Sequence, residues 1–287
     1  MRTIRSIFNA LIHPWRHPSA PKMKGVRNTD LDRICLAAAG GDAREVACVM
    51  DRYEDKENIF ALTTSVDTGR TMLHRAAMKG HVELMKVLLD QGETVDRKDT
   101  QGATPLHMAA FCGQTEAVQF LMSRGADKDA PDALGWTPLA AAARKGQRET
   151  VEFLIARDAD VNARSSLGMS VVYSALSYPE ILKLLANNGA DVDAADEGGW
   201  TPLMWTCAWK DLPDKQATLE TLFGLGARLD LKAKDGRTLS AIAREFGADD
   251  VIPLIERKEA EREANMLRLQ EDMVVRTLRL KLRSPGT

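Results

Sequence analysis

Cysteine is scarce in this chain: Cys35, Cys48, Cys112 and Cys207 are the four among 287 residues, and no two form a CxxC pair. That spacing excludes a disulfide framework and a cysteine-based zinc site. It leaves small buried hydrophobes or free thiols in a reducing compartment. No window holds roughly 18 uninterrupted apolar residues, so no transmembrane helix is expected. Catalytic signatures are missing as well. No HExxH, no paired Cys/His spacing, no GxxxxGK[ST] or GxGxxG loop and no GxSxG turn occurs, which argues against zinc, nucleotide and nucleophile-elbow chemistry. His13, His17 and His81 are scattered. Aromatic residues make up 5% of the chain, with five tryptophans, so each one is informative. The 44% hydrophobic and 28% charged content is otherwise ordinary.

The net charge of −2 conceals an asymmetry. Residues 1–28 hold six Lys/Arg and no acid, and residues 273–287 hold four and no acid. The body between them therefore carries 29 basic against 41 acidic residues, a balance of −12. An acidic body repels phosphate over most of its surface, so nucleic acid is not an expected partner. The basic ends remain able to touch an anionic membrane or an acidic protein.

What the chain has is a repeat. Gly69-Arg-Thr71-Met-Leu73-His74, Gly102-Ala-Thr104-Pro-Leu106-His107, Gly135-Trp-Thr137-Pro-Leu139 and Gly199-Trp-Thr201-Pro-Leu203 are copies of one motif, with degenerate copies at Gly168 and Gly236. Their glycines stand 33, 33, 33, 31 and 37 residues apart. A period near 33 means stacked units that bury a shared core. Within a unit, Thr and Pro open a first helix as cap and first-turn residue. A glycine such as Gly113 breaks it, Val118, Leu121 and Met122 form a second apolar face, and Gly125 ends that helix. The tail from Ala126 to Asp132 crosses to the next unit. The aspartates at these crossings (Asp99, Asp132, Asp196, Asp235) are accounted for by turn chemistry.

The TPLHxAA-type helix starts, the mid-unit glycines and the runs Gly125-Ala126-Asp127 and Gly189-Ala190-Asp191-Val192-Asp193-Ala194 resemble the ankyrin-repeat family over roughly residues 30–257. The resemblance implies an all-α solenoid of about seven helix-turn-helix units joined by β-turn fingers, with a C-terminal helical extension. The expected layout is a basic segment and Pro-rich linker at 1–28 and a capping repeat at 29–68. Five repeats follow at 69–101, 102–134, 135–167, 168–198 and 199–235, then a closing cap at 236–257 and a helical, basic extension at 258–287. Ser177-Tyr178-Pro179 shortens the fourth repeat, and Lys210 to Lys215 is an insertion in the fifth. His74 and His107 occupy the motif position at which the family's histidine bonds backbone between adjacent fingers, which implies a structural role for both.

The same resemblance implies a concave binding face of finger tips and exposed inner-helix positions. Projected onto this chain, the candidate partner-binding residues are Arg70, Met78, Lys79, Phe111, Cys112, Trp136, Arg144, Lys145, Met169, Trp200 and Trp209. Thr68, Thr100, Gln101, Ala103, Leu134, Leu167, Glu197 and Ala208 lie beside them. Large aromatic and arginine side chains are the usual anchors of a protein interface. Trp136 and Trp200 have packing and binding roles equally open to them, Phe111 and Trp209 favour binding, and Trp205 is expected in the core. The implied function is that of a non-enzymatic protein- or peptide-binding module, an adaptor, scaffold or inhibitor in the cytoplasm. No cofactor, metal or small-molecule substrate is expected.

The ends suggest alternatives. Ile4, Ile7, Phe8, Leu11 and Ile12 share one face of a basic amphipathic pattern, as in an interfacial anchor, a docking peptide or an organellar presequence. Without an apolar h-region and cleavage site it does not read as a secretory signal. A membrane-attached adaptor and a bacterial effector or immunity-type inhibitor are thus the alternative readings. At the other end, Glu256 to Arg283 lacks Gly and Pro and reads as one helical run. Its apolar residues Leu267, Met273, Val274, Leu278 and Leu282 are spaced too loosely for a stable coiled coil.

Overall fold

The computed structural model describes residues 27–283. Helices occur in pairs along the chain. They are α1 (Asn28–Gly40) and α2 (Ala43–Met50), a single α3 (Lys56–Thr63), α4 (Met72–Lys79) and α5 (Val82–Asp90), α6 (Pro105–Phe111) and α7 (Thr115–Ser123), and α8 (Pro138–Arg144) and α9 (Arg148–Ile155). There follow α10 (Val171–Ser174) and α11 (Pro179–Asn187), α12 (Pro202–Ala208) and α13 (Lys215–Gly224), and α14 (Leu239–Glu245) and α15 (Ile252–Arg283). The first helix of each pair packs on the first helix of the next, and the second helices pack on one another from α2 to α13. Two parallel rows result, an inner one starting at α1 and α4 and an outer one starting at α2 and α5. Among the described residues no strand forms, and one isolated bridge joins Arg164 and Ser170.

Local chemistry sets each inner helix. Thr71, Thr104, Thr137, Thr201 and Thr238 are N-caps with extended backbone, and proline occupies the first turn of α6, α8 and α12. In α4 and α6 the histidine three residues after the cap completes a capping box. The Thr71 N–H donates to His74 Nδ1 at 3.2 Å, and His74 Nε2 lies 3.0 Å from the Ala103 carbonyl oxygen of the next unit. His107 repeats this with the Thr104 N–H at 3.1 Å and the Trp136 carbonyl at 3.0 Å. An N–H on one side and a carbonyl on the other require the neutral Nε2–H tautomer. Burial lowers both pKa values in the same sense. The histidines are therefore structural, as the motif implied.

The inner helices carry small residues (Ala76, Ala77, Ala109, Ala110, Ala142, Ala143) that are fully or nearly fully buried. Short side chains let neighbouring helices approach, and Leu73, Leu106, Leu139 and Leu203 fill the space between inner and outer rows. Fingers are stitched by one backbone bond per step: Thr100 N–H to Thr68, Ala133 to Gln101, Ser166 to Leu134, Glu197 to Leu167 and Lys234 to Gly198, at 2.8–3.0 Å. The motif glycine serves this stitching. Gly102 has φ +74°, and a Cβ there would lie 2.5 Å from the Ala133 backbone nitrogen.

The irregular stretches have physical causes. Between Arg52 and Asp67 the chain forms α3, which buries Ile59 and Phe60 against the first unit. In the fourth unit α10 is a single turn, and the Tyr178 ring covers Gly146, where an added Cβ would meet ring carbons at 2.5 Å. The Lys210–Lys215 insertion is tethered: Leu212 is buried, and Asp214, at φ +46°, caps α13 through the Ala217 N–H. At the C-terminus no break separates the closing unit from the extension, because α15 runs continuously from Ile252 to Arg283. Its start is packed through Val251, Leu254 and Ile255, whereas Met266, Leu267, Leu269, Met273, Val274 and Val275 are exposed. Residues 1–26, with the amphipathic pattern of Ile4 to Ile12, lie outside the described residues, as do the side chains of Leu278 and Leu282.

Candidate protein-docking face

The fingers are held rigid by Asx-type turns. Asp99 Oδ1 accepts the N–H groups of Gln101 and Ala103, Asp132 those of Leu134 and Trp136, and Asp196 those of Gly198 and Trp200, all at 2.8–3.0 Å. Ser165 does the same with its hydroxyl. Asp235 also makes such a turn, but in a different register. The residue in register with Asp99 is Ala233, whose N–H bonds the Arg237 carbonyl as Asp99 bonds Ala103. Asp235 sits two residues later and accepts both the Arg237 N–H and the Arg237 guanidinium.

Between these fingers and the inner helices lie two adjoining clefts. The first, of about 210 Å³, is bounded by Arg70, Met78, Met108, Phe111, Trp136 and Arg144. The second, of about 270 Å³, is bounded by Leu134, Trp136, Arg144, Met169, Trp205 and Trp209, with the Ser174 and Ser177 hydroxyls beside them. Trp136, Arg144 and Ser174 line both and stand where the two meet. Trp209, at the end of α12, is 44% exposed, a large apolar area left in water.

The charges around the clefts are not equivalent. Arg70 Nε is 3.2 Å from Asp99 Oδ2, and the Asp99 side chain is almost fully buried, so this arginine is committed to the fold. Lys79 donates to the Ala39 carbonyl, and Lys145 Nζ lies 4.7 Å over the Phe111 ring. Arg144 is exposed, and no carboxylate among the described residues pairs with it.

Of the residues expected on the concave face, Arg70, Met78, Phe111, Trp136, Arg144, Met169 and Trp209 thus line the clefts. Lys79, Cys112, Lys145 and Trp200 do not line them. The alternatives left open for Trp200 divide toward packing. Its ring lies 5.6 Å from Trp205 and 5.9 Å from Phe246, with Arg237 stacked at 5.0 Å and held there by Asp235 and Glu245. Trp205 corrects the expectation of a core residue. It is half-buried, donates Nε1–H to Asp196 Oδ2 at 2.8 Å, and presents its remaining surface to the second cleft. Met108 and Ser174 were not anticipated. They share with Trp205 the fifth place of the motif, three residues before Phe111, Ser177 and Ala208, so helical i,i+3 spacing would have found them.

A stack of helical hairpins with inner and outer rows, stitched fingers and capped inner helices defines a helical-repeat solenoid. Comparison with known families agrees: the family described as Ankyrin repeats (3 copies) matches residues 34–132, and a further Ankyrin repeat matches residues 134–166. The chain thus carries ankyrin repeats over residues 34–166. Its helix pairs after residue 166 extend the same two rows. A search of curated proteins found no match. Ankyrin repeats are generally protein–protein interaction modules and typically have no enzymatic activity.

Proposed function

We propose that this protein is a non-enzymatic adaptor, scaffold or inhibitor that binds an exposed segment of another protein along the inner-helix face. The observation that carries the reading is the pair of adjoining clefts that meet at Trp136 and Arg144, with Trp209 exposed at the margin. Capped helices and stitched fingers preorganise this surface, so little ordering entropy opposes binding. Tryptophan and arginine bury large area per rotatable bond, which suits them to anchor a partner.

The test replaces Phe111 and Trp209 by serine together. Both side chains are at least partly exposed, so helical circular dichroism and the melting temperature should stay nearly unchanged. Retention of the partner captured by the wild-type chain should fall by about thirtyfold or more, the effect of losing a single interface anchor. Undiminished capture by the folded variant would place the binding surface elsewhere.

A further inference from the structure

The inner row has a charge pattern that the overall balance conceals. Helices α4, α6, α8, α10 and α12 contain no aspartate or glutamate, whereas the outer helices α5, α7, α9, α11 and α13 hold Glu83, Asp90, Glu116, Glu149, Glu152, Glu180 and Glu220. Asp132 is the acid in the lining of the clefts, and the finger acids Asp99 and Asp196 bond to lining residues; all three are engaged. Asp99 is bonded to Arg70 and to backbone N–H groups, Asp132 holds the N–H groups of Leu134 and Trp136, and Asp196 holds Trp205. Arg144 is a cation with no carboxylate partner among the described residues, and it lines both clefts, whose walls are mostly apolar. In the second cleft it is the single charged residue of the lining. An acidic body whose five central inner helices carry no acid selects for negative charge along this groove.

Resting on the docking-face reading above, we propose that the groove takes an extended partner segment in which an internal Asp or Glu is flanked on both sides by large apolar side chains. The carboxylate pairs with the Arg144 guanidinium, whose planar fork matches it bidentately. One flanking side chain enters the cleft of Met78, Met108 and Phe111, and the other enters the cleft of Met169, Trp205 and Trp209. An internal carboxylate fits better than a chain terminus because apolar surface continues on both sides of Arg144.

The experiment selects peptides on the immobilised full chain from two displayed libraries, one anchored at both ends and one with a free C-terminus. The doubly anchored library should enrich Asp or Glu between apolar or aromatic residues. Binding of those peptides should fall about tenfold to a hundredfold on Arg144→Gln, the loss expected for a charge-assisted pair. Selection on Arg144→Glu should replace the acid by Lys or Arg. Arg148→Gln, which removes an outer-helix ion pair, should leave binding unchanged. Enriched peptides with apolar anchors but no acidic preference would overturn the carboxylate proposal and leave the groove reading standing, provided that Trp209→Ser weakens them. Enrichment confined to the free C-terminus would assign Arg144 to a terminal carboxylate and overturn it as well. Peptides indifferent to both Arg144→Gln and Trp209→Ser, or no enrichment at all, would sink the groove reading and the proposal together.

Discussion

Glu93 supplies the sharpest physical test of the fold. It follows Gly92, where the corresponding residues after Gly125, Asp158, Gly189 and Gly226 are Ala126, Ala159, Ala190 and Ala227. All five donate their backbone N–H to the last turn of the preceding outer helix, so they occupy one structural position. The glutamate is only 6% exposed, and neither carboxyl oxygen has a hydrogen-bond partner. Burial pushes its pKa from the usual 4.5 up to about 7, and the nearby Thr71 hydroxyl, Leu73 N–H and Arg97 charge offset only part of that. The folded-state pKa is raised, so the folded chain holds a proton that the unfolded chain has released. Stability should therefore be unimpaired below about pH 4.5 and fall as pH rises toward 7. The full penalty, from a pKa raised from 4.5 to about 7, is about 3 kcal/mol. Glu93→Ala removes this penalty but also about 1–2 kcal/mol of buried methylene packing. It should thus stabilise the protein by about 1–2 kcal/mol at about pH 8 and destabilise it by a similar amount at about pH 4.5. Urea unfolding followed by circular dichroism at several pH values reads the difference. Amide exchange in Met72–Asp90 localises it, because solenoids can open in parts. A mutant-to-wild-type difference that is the same at both ends of the pH range would refute the reasoning.

Other consequences can be measured in the same way. His107→Ala leaves the Thr104 N–H and the Trp136 carbonyl unpaired in a buried site and should cost about 2–4 kcal/mol in urea unfolding. Because burial lowers the folded-state pKa of His74 and His107, their contribution is whole above about pH 6.5 and declines as pH falls below it. In the Glu93→Ala background this acid-side decline should persist while the loss between about pH 4.5 and 7 disappears. Asp158, at φ +60° where the other units have glycine, should yield about 0.5–1 kcal/mol of stabilisation on Asp158→Gly, read as a raised melting temperature. Leu212→Ala should cost about 2–3 kcal/mol if the insertion is anchored as the structure shows, whereas a free surface loop would lose almost nothing in thermal melts.

Much of the architecture was legible because ankyrin units are specified locally. The Thr-Pro start, the mid-unit glycine and the glycine after the outer helix each act through their own backbone or the next turn. The site was less legible, since its residues meet across units. Phe111 and Trp209 were identifiable from helix position alone. Trp205 lines a cleft where a core position was expected, and the open choice for Trp200 falls to packing because Phe246 and Arg237 of the following unit approach its ring. Glu93 carried no sequence signal beyond replacing an alanine, and its burial depends on how α5 closes against the start of α4.

The sequence by itself determined the repeat, its period near 33, the caps, and the glycines that allow fingers to touch. These follow from short-range sterics and hydrogen bonding within a few residues. Only the tertiary structure decided that five successive acid-free helices share the inner row, that Asp99 neutralises Arg70, and that Arg144 lines two clefts with no carboxylate partner among the described residues. Those are properties of side chains about one repeat apart in sequence, brought together by stacking, and no local pattern records which neighbour each will meet.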